Sequence, residues 1–166
     1  TASTLLVIEN VWLETMTLMA ITCSLPVVSN VWWTLSRKAA LASVSNCEEV
    51  LSCWLNSTPG LLLQIADLQL TKGGWASTKK ASLEALLALD LSRLTSEQVT
   101  AINDLYIDLC AEQVPVLSAQ FAQAAEGQGW RFRLDTRLLE ILSGEKVELR
   151  HLRPLYNLLI EEAKHW

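Results

Sequence analysis

Charged side chains are scarce in this chain. They make up 19% of the 166 residues, and residues 15–36 contain none. The 13 basic and 18 acidic side chains leave a net charge of -5, which argues against a nucleic-acid binder, because phosphate contacts need a basic face. Hydrophobic residues account for 51%, too many for a disordered chain. This composition predicts apolar surface that is left for a partner, a second copy or lipid.

Recognisable catalytic motifs are also missing. The sequence has no glycine-rich phosphate loop, no G-x-S-x-G elbow and no cysteine or histidine pairs with zinc-site spacing. Only His151 and His165 could support histidine-based acid–base catalysis. We therefore expect no catalytic residue, no cofactor and no metal, and an enzyme is the less favoured class.

Each histidine follows a glutamate by three positions, as Glu148-x-x-His151 and Glu162-x-x-His165. This is the spacing with which di-iron helical bundles present a carboxylate and an imidazole from one helix face. Both copies fall in one predicted helix, about 21 Å apart along its axis, whereas a dinuclear site needs them on separate, facing helices. We interpret them as a solvated helix face.

Cysteine is limited to four residues, at positions 23, 47, 53 and 110. Their irregular spacing does not fit a disulfide scaffold. Cys47 and Cys53 are expected on one helix, where six residues rise about 9 Å, beyond the roughly 7 Å that a disulfide spans. We predict unpaired thiols in a cytoplasmic protein. A signal peptide would show a basic segment followed by an apolar run, and this pattern is missing.

The uncharged residues 15–36 allow two interpretations. The segment is long enough to cross a bilayer, and Trp32 and Trp33 stand beside a basic pair, as in an interfacial aromatic belt. Its many hydroxyl side chains oppose that interpretation, as does Pro26, which removes a backbone donor in mid-span. We favour a buried helical hairpin, and membrane contact remains the alternative.

Helix signals recur along the chain. Ser45 and Asn46 each precede a glutamate by three positions, and Thr95 precedes Gln98 in the same way, which is the capping-box pattern. In the N-terminal half, the predicted helices are a first one with apolar residues 5, 8, 12, 16 and 19, a second over 26–42, a short one ending at Leu55, and one over 60–70. The next is capped by Ser77 or Thr78 and ends at Ala88. The last three cover 95–125 with a kink or break at Pro115, a segment capped by Asp135 and ending at Leu142, and 147–165.

Residues 130–134 alternate apolar and basic side chains and are predicted as an extended linker. Glycines 73 and 74 are interpreted as a helix stop. Together these patterns predict an all-α fold, a single domain over residues 1–166. It would be a bundle of seven or eight short helices around a central apolar N-terminal hairpin.

Two sets of residues are candidate partner-binding sites. Trp32 and Trp33 are aromatic anchors on the apolar hairpin. Asp104, Asp108 and Glu112 form an acidic row on the outward side of a helix, which is either a docking strip for a basic partner or only a solvated face. The C-terminal third is locally basic, and the two regions could pair within the fold or between copies.

These observations favour a non-catalytic helical protein-interaction module, such as an adaptor, chaperone, inhibitor or assembly subunit. Its partner would be another protein or a second copy, and no nucleic acid is expected. The alternative is a helical protein that binds an apolar ligand or associates with a membrane through residues 25–35.

Overall fold

The computed structural model describes residues 2–12, 15–42, 44–66, 68–70 and 76–163. Within these residues the fold combines strands and helices. The strands are β1 (Ser3–Ile8), β2 (Asn10–Val11), β3 (Ala20–Val27), β4 (Trp32–Leu35), β5 (Gln69–Leu70) and β6 (Ala76–Ser77). The helices are α1 (Cys47–Asn56), α2 (Thr58–Ala66), α3 (Lys80–Ala85), α4 (Ser96–Cys110), α5 (Leu117–Ala125), α6 (Gly129–Ser143) and α7 (Leu149–Ala163). Short 3-10 turns occupy Ala39–Leu41 and Leu91–Arg93.

The strands form two small antiparallel sheets. In the larger sheet, β1 lies between β3 and β4, so that Val7 is opposite Ala20 on one side and Trp33 on the other. The smaller sheet has the order β2-β6-β5. Because β1 is the central strand, β3 is left as an edge strand of the larger sheet.

The prediction of an all-α fold is wrong, because about 15% of the residues are in strands. The predicted N-terminal helical hairpin is instead the larger sheet. Leu5, Leu6 and Val7 of β1 are all buried, so their side chains do not alternate between core and solvent as in a half-buried strand. A continuous apolar run of this kind fits a buried strand and a buried helix equally well. Pro26 lies in β3, and an edge strand tolerates proline.

After residue 45 the predicted helices agree more closely with the structure. Helix α4 begins with the predicted capping box, in which Thr95 and Gln98 exchange both hydrogen bonds. The predicted break at Pro115 is confirmed, since α4 ends at Cys110 and α5 begins at Leu117. Helix α1 is confirmed, but without a side-chain cap, because Asn46 adopts a left-handed conformation.

Other predicted helix limits are wrong. Helix α2 ends at Ala66 rather than residue 70, and α3 covers six residues rather than most of 78–88. The glycine stop at 73–74 and His165 lie outside the described residues. Within those residues, no helix combines the length and the hydropathy needed to cross a bilayer.

The predicted extended linker at 130–134 is also wrong, because these residues are in α6. Trp130, Leu134 and Leu138 recur every four residues and are buried, which is the helical pattern that the alternating arginines obscured. Asp135 is not a cap. It is fully buried in the middle of α6.

A buried polar network, formed by Arg131, Asp135, Gln120, Thr58 and Tyr156, joins the helices. The Arg131 guanidinium donates to Gln120 Oε1 (2.9 and 3.1 Å) and to the backbone oxygen of Asn56 (2.8 Å). Asp135 accepts from the N–H (2.7 Å) and hydroxyl (2.6 Å) of Thr58 and from the Tyr156 hydroxyl (2.9 Å). These bonds fix the junction of α1 and α2 against α5, α6 and α7.

Candidate functional site

The Asn56 carboxamide pairs with the outer edge of β3. Its Oδ1 accepts from the backbone N–H groups of Met19 (2.8 Å) and Ala20 (3.1 Å). Its Nδ2 donates to the backbone oxygen of Ala20 (2.7 Å). At Ala20, the side chain of a helix residue therefore takes the place of a neighbouring strand.

The next position along this edge has no such partner. Ile8 N–H donates to Met19 oxygen at 2.9 Å, which establishes the alternation of the ladder between β1 and β3. Ala20 and Thr22 consequently direct their backbone N–H and C=O groups away from β1. In the described part of the chain, no strand pairs with this edge of β3. By this alternation, the backbone N–H and C=O of Thr22 have no strand partner among the described residues.

A pocket of about 230 Å³ lies beside this edge, between β3, α1, α4 and α6. Most of its surface is apolar. Its apolar lining includes Leu18, Leu109, Val114, Trp130 and Leu134, and Asn56 and Thr22 also border it. Trp130 is held in place by its indole N–H, which donates to Leu109 oxygen at 3.3 Å. A concave, largely apolar pocket of this kind fits a small-molecule site.

The polar groups of the pocket are mostly uncharged. The Thr22 and Tyr106 hydroxyls are hydrogen-bonded to each other. Burial raises the pKa of Tyr106 to about 12, so its phenol stays protonated at neutral pH. Glu112 lies at the rim, where it forms an ion pair with Arg133. The arrangement provides hydrogen bonds and apolar contact.

The four cysteines are free thiols, which confirms the prediction that they are unpaired. Cys53 lines the pocket, and burial raises its pKa to about 12. Burial also raises the pKa of the Cys47 thiol. Both thiols are therefore poor nucleophiles, since the thiolate is the reactive form.

Thiol reactivity should divide the cysteines into two pairs. Cys110 is exposed and Cys23 is half-buried, whereas Cys47 and Cys53 are buried. With a chromogenic aromatic disulfide, we expect the first two to react in the folded protein and the other two only in denaturant. Rapid native reaction of all four thiols would contradict the burial of Cys47 and Cys53. Fewer than four reactive thiols in denaturant would mean that a disulfide forms.

The predicted aromatic anchors lie on β4, away from the pocket. Trp33 is opposite Val7, and its indole N–H donates to Thr78 oxygen at 3.0 Å. Trp32 is opposite Ile8, and both tryptophans are half-buried. On a strand, neighbouring side chains face opposite sides of the sheet. The two indoles therefore do not form one surface, and their role in partner binding stays a prediction.

The acidic row is only partly available to a partner. Asp104 and Asp108 are exposed on α4, as expected for its outward side. Glu112 lies beyond the end of α4 and is ion-paired with Arg133, so the acidic and basic regions meet once within the fold. Docking of a basic partner on Asp104 and Asp108 stays a prediction.

The residues that build the pocket were not predicted from the sequence. Thr22 falls in the predicted helical hairpin, and Asn56 falls just beyond the short helix that is predicted to end at Leu55. Tyr106 and its hydroxyl partner Thr22 lie 84 positions apart in the chain, so no local pattern indicates their contact. Scans against protein-family models, curated proteins and solved structures returned no match for this chain.

Proposed function

We propose that this chain is a non-catalytic assembly subunit that binds a second copy of itself through an apolar ridge. The ridge consists of Leu25, Val28 and Val31, whose exposed fractions are 73%, 74% and 53%. It begins in β3 and continues into the segment that leads to β4. This exposure of three aliphatic side chains within seven residues is the observation that carries the proposal.

Single exposed aliphatic residues are common on protein surfaces, but a cluster of them keeps apolar surface in contact with water, which is unfavourable in free energy. Burial of each side chain at an interface would contribute about 1.5–3 kcal/mol from removal of apolar surface from water. Part of that gain offsets the lost freedom of the two molecules. The exposed ridge therefore favours association with a partner that covers it.

A second copy fits the ridge because residues 15–36 carry no charge. Two molecules with a net charge of -5 repel each other overall, but this segment adds nothing to the repulsion. Identical patches related by a two-fold axis are self-complementary. Three aliphatic side chains fall short of the roughly 800 Å² per partner in stable interfaces, so the dimer should be weak and concentration-dependent.

The test is sedimentation equilibrium from micromolar to millimolar protein. We expect the mass of the unmodified chain to rise towards that of a dimer. The double variant Leu25→Ser/Val28→Ser should remain monomeric, because it replaces two of the three apolar contacts. Leu87→Ser is the matched control, since Leu87 is 72% exposed but lies outside the ridge, and it should dimerise like the unmodified chain.

A monomer throughout this range would overturn the proposal, as would equal losses in the ridge variant and the control. Co-sedimentation with phospholipid vesicles checks the alternative of membrane association. Vesicle binding by the unmodified chain, abolished by Leu25→Ser/Val28→Ser, would replace a second copy with lipid as the occupant.

A further inference from the structure

The chain itself shows how the edge of β3 binds a carboxamide. Asn56 offers Nδ2 as a donor and Oδ1 as an acceptor, and both engage the backbone of Ala20. A primary carboxamide can do this because one of its N–H bonds lies on the same side as its oxygen. The pairing satisfies both edge groups of one residue at once.

The same pair of backbone groups recurs at Thr22, two residues further along the edge. In an antiparallel strand this step is about 7 Å, and the groups point in the same direction. Among the described residues, the side-chain hydrogen bonds to the backbone at this edge are those of Asn56 to Met19 and Ala20, and the bond at Thr22 involves its hydroxyl only. The pocket borders both residues, so a ligand there reaches the free edge groups.

The size of the pocket limits the ligand. An apolar cavity of about 150 Å³ holds one benzene molecule, so the 230 Å³ here accommodates a six-membered ring with a small substituent. Leu109, Trp130 and Leu134 supply flat and branched apolar surface for such a ring. Occupation would also remove this surface from water.

The charge of the pocket limits the ligand further. The hydrogen-bonding groups that Thr22, Asn56 and Tyr106 contribute to the pocket are neutral, and the exposed Glu112 carboxylate is matched by Arg133. An ionised ligand would lose its hydration without gaining an opposite charge. A neutral ligand with an adjacent donor and acceptor loses far less.

From these four observations we propose that the pocket binds small aromatic primary carboxamides, with the ring against Trp130 and Leu134 and the carboxamide paired to the backbone of Thr22. The proposal is independent of self-association through the ridge. Leu25→Ser/Val28→Ser should therefore bind such a ligand as the unmodified chain does, even if the ridge has no partner.

Benzamide is the probe, and its binding to the ¹⁵N-labelled full chain is followed by NMR. We expect a saturable downfield shift of the Thr22 amide proton, because a new acceptor reaches it. Two comparison compounds keep the ring: N,N-dimethylbenzamide lacks amide protons, and ethylbenzene lacks the amide group. Each should bind about tenfold more weakly than benzamide, since one or two hydrogen bonds are lost. Benzoate, which is ionised, should bind more weakly still.

Two variants at Thr22 distinguish the contribution of its backbone to ligand binding from that of its side chain. Thr22→Val removes the hydroxyl but keeps the backbone N–H, so the tenfold preference for benzamide should persist. Thr22→Pro removes the outward N–H and not a bond to β1. Benzamide and N,N-dimethylbenzamide both need that donor for their carbonyl oxygen, so both should bind this variant more weakly, whereas the affinity for ethylbenzene should not change. If Thr22→Pro does not fold, the compound series and the Thr22 shift in the unmodified chain still decide.

Equal affinity for benzamide, N,N-dimethylbenzamide and ethylbenzene would overturn the carboxamide assignment and leave only an apolar pocket. The assignment also fails if benzoate binds most tightly or if the largest shifts lie away from Thr22. No saturable shift at millimolar benzamide would overturn the site itself.

Discussion

Replacing Arg131 with methionine should lower the free energy of unfolding by about 3–5 kcal/mol. Arg131 is fully buried in α6, and its guanidinium lies 4.8 Å from the centre of the Phe121 ring. Its loss leaves the acceptors on Gln120 and Asn56 without their donor and Asp135 buried without an opposite charge. Urea unfolding followed by circular dichroism measures the change.

Burial works against both charges of this network. It lowers the pKa of Arg131 and raises that of Asp135, while each charge favours the ionised form of the other. Burial and the charge of Asp135 raise the pKa of Tyr156, which keeps its hydroxyl as a donor to Asp135. The double variant Arg131→Met/Asp135→Leu should therefore lose less stability than the sum of its single variants.

Arg137→Met is the matched control, because Arg137 lies on the same helix. Its side chain is 62% exposed, and it forms an ion pair with Glu140 at 3.2 Å. Exposed pairs of this kind contribute at most about 1 kcal/mol. A loss at Arg131 no larger than the loss at Arg137 would mean that the buried network does not hold the helices together.

The sequence predicted the parts of the fold that local chemistry decides. The capping box at Thr95 and the break at Pro115 depend only on neighbouring residues, and both were predicted correctly. Strand β1 was not recognised, because a strand buried on both faces has no period of two. Its identity depends on β3 and β4, which pair with it from a distance along the chain.

The pocket and the buried polar network could not be predicted from local sequence patterns, for the same reason. Thr22, Asn56 and Tyr106 come from a strand and two helices, and only the tertiary fold brings them together. Arg131 was counted among the basic residues of the C-terminal third, where arginine is ordinarily exposed. Its burial depends on Gln120, a neutral side chain on another helix.

Among the glycines that the structure describes, the closest backbone approach occurs where α1 meets α2. A Cβ on Gly60 would lie 2.0 Å from the backbone oxygen of Trp54 and 2.9 Å from its carbonyl carbon. The same Trp54 oxygen accepts from the Ser57 hydroxyl at 2.6 Å, so it is not free to turn aside. Neither clashing atom belongs to a flexible side chain. Accommodation of a methyl group therefore requires α2 to move relative to α1.

Gly60→Ala should consequently destabilise the fold by about 3 kcal/mol or more, at the upper end of overpacking effects. Movement of α2 displaces Thr58, whose N–H and hydroxyl both donate to Asp135, so the buried network weakens as well. Combined with Arg131→Met, the loss of stability should be smaller than additive, because both changes disrupt the same network.

Gly144→Ala is the control. Gly144 has a positive φ of 72°, but a Cβ there meets nothing within 4 Å, so only the backbone strain of about 1–2 kcal/mol remains. Equal urea midpoints for the two alanine variants would show that α1 and α2 are not in this close contact.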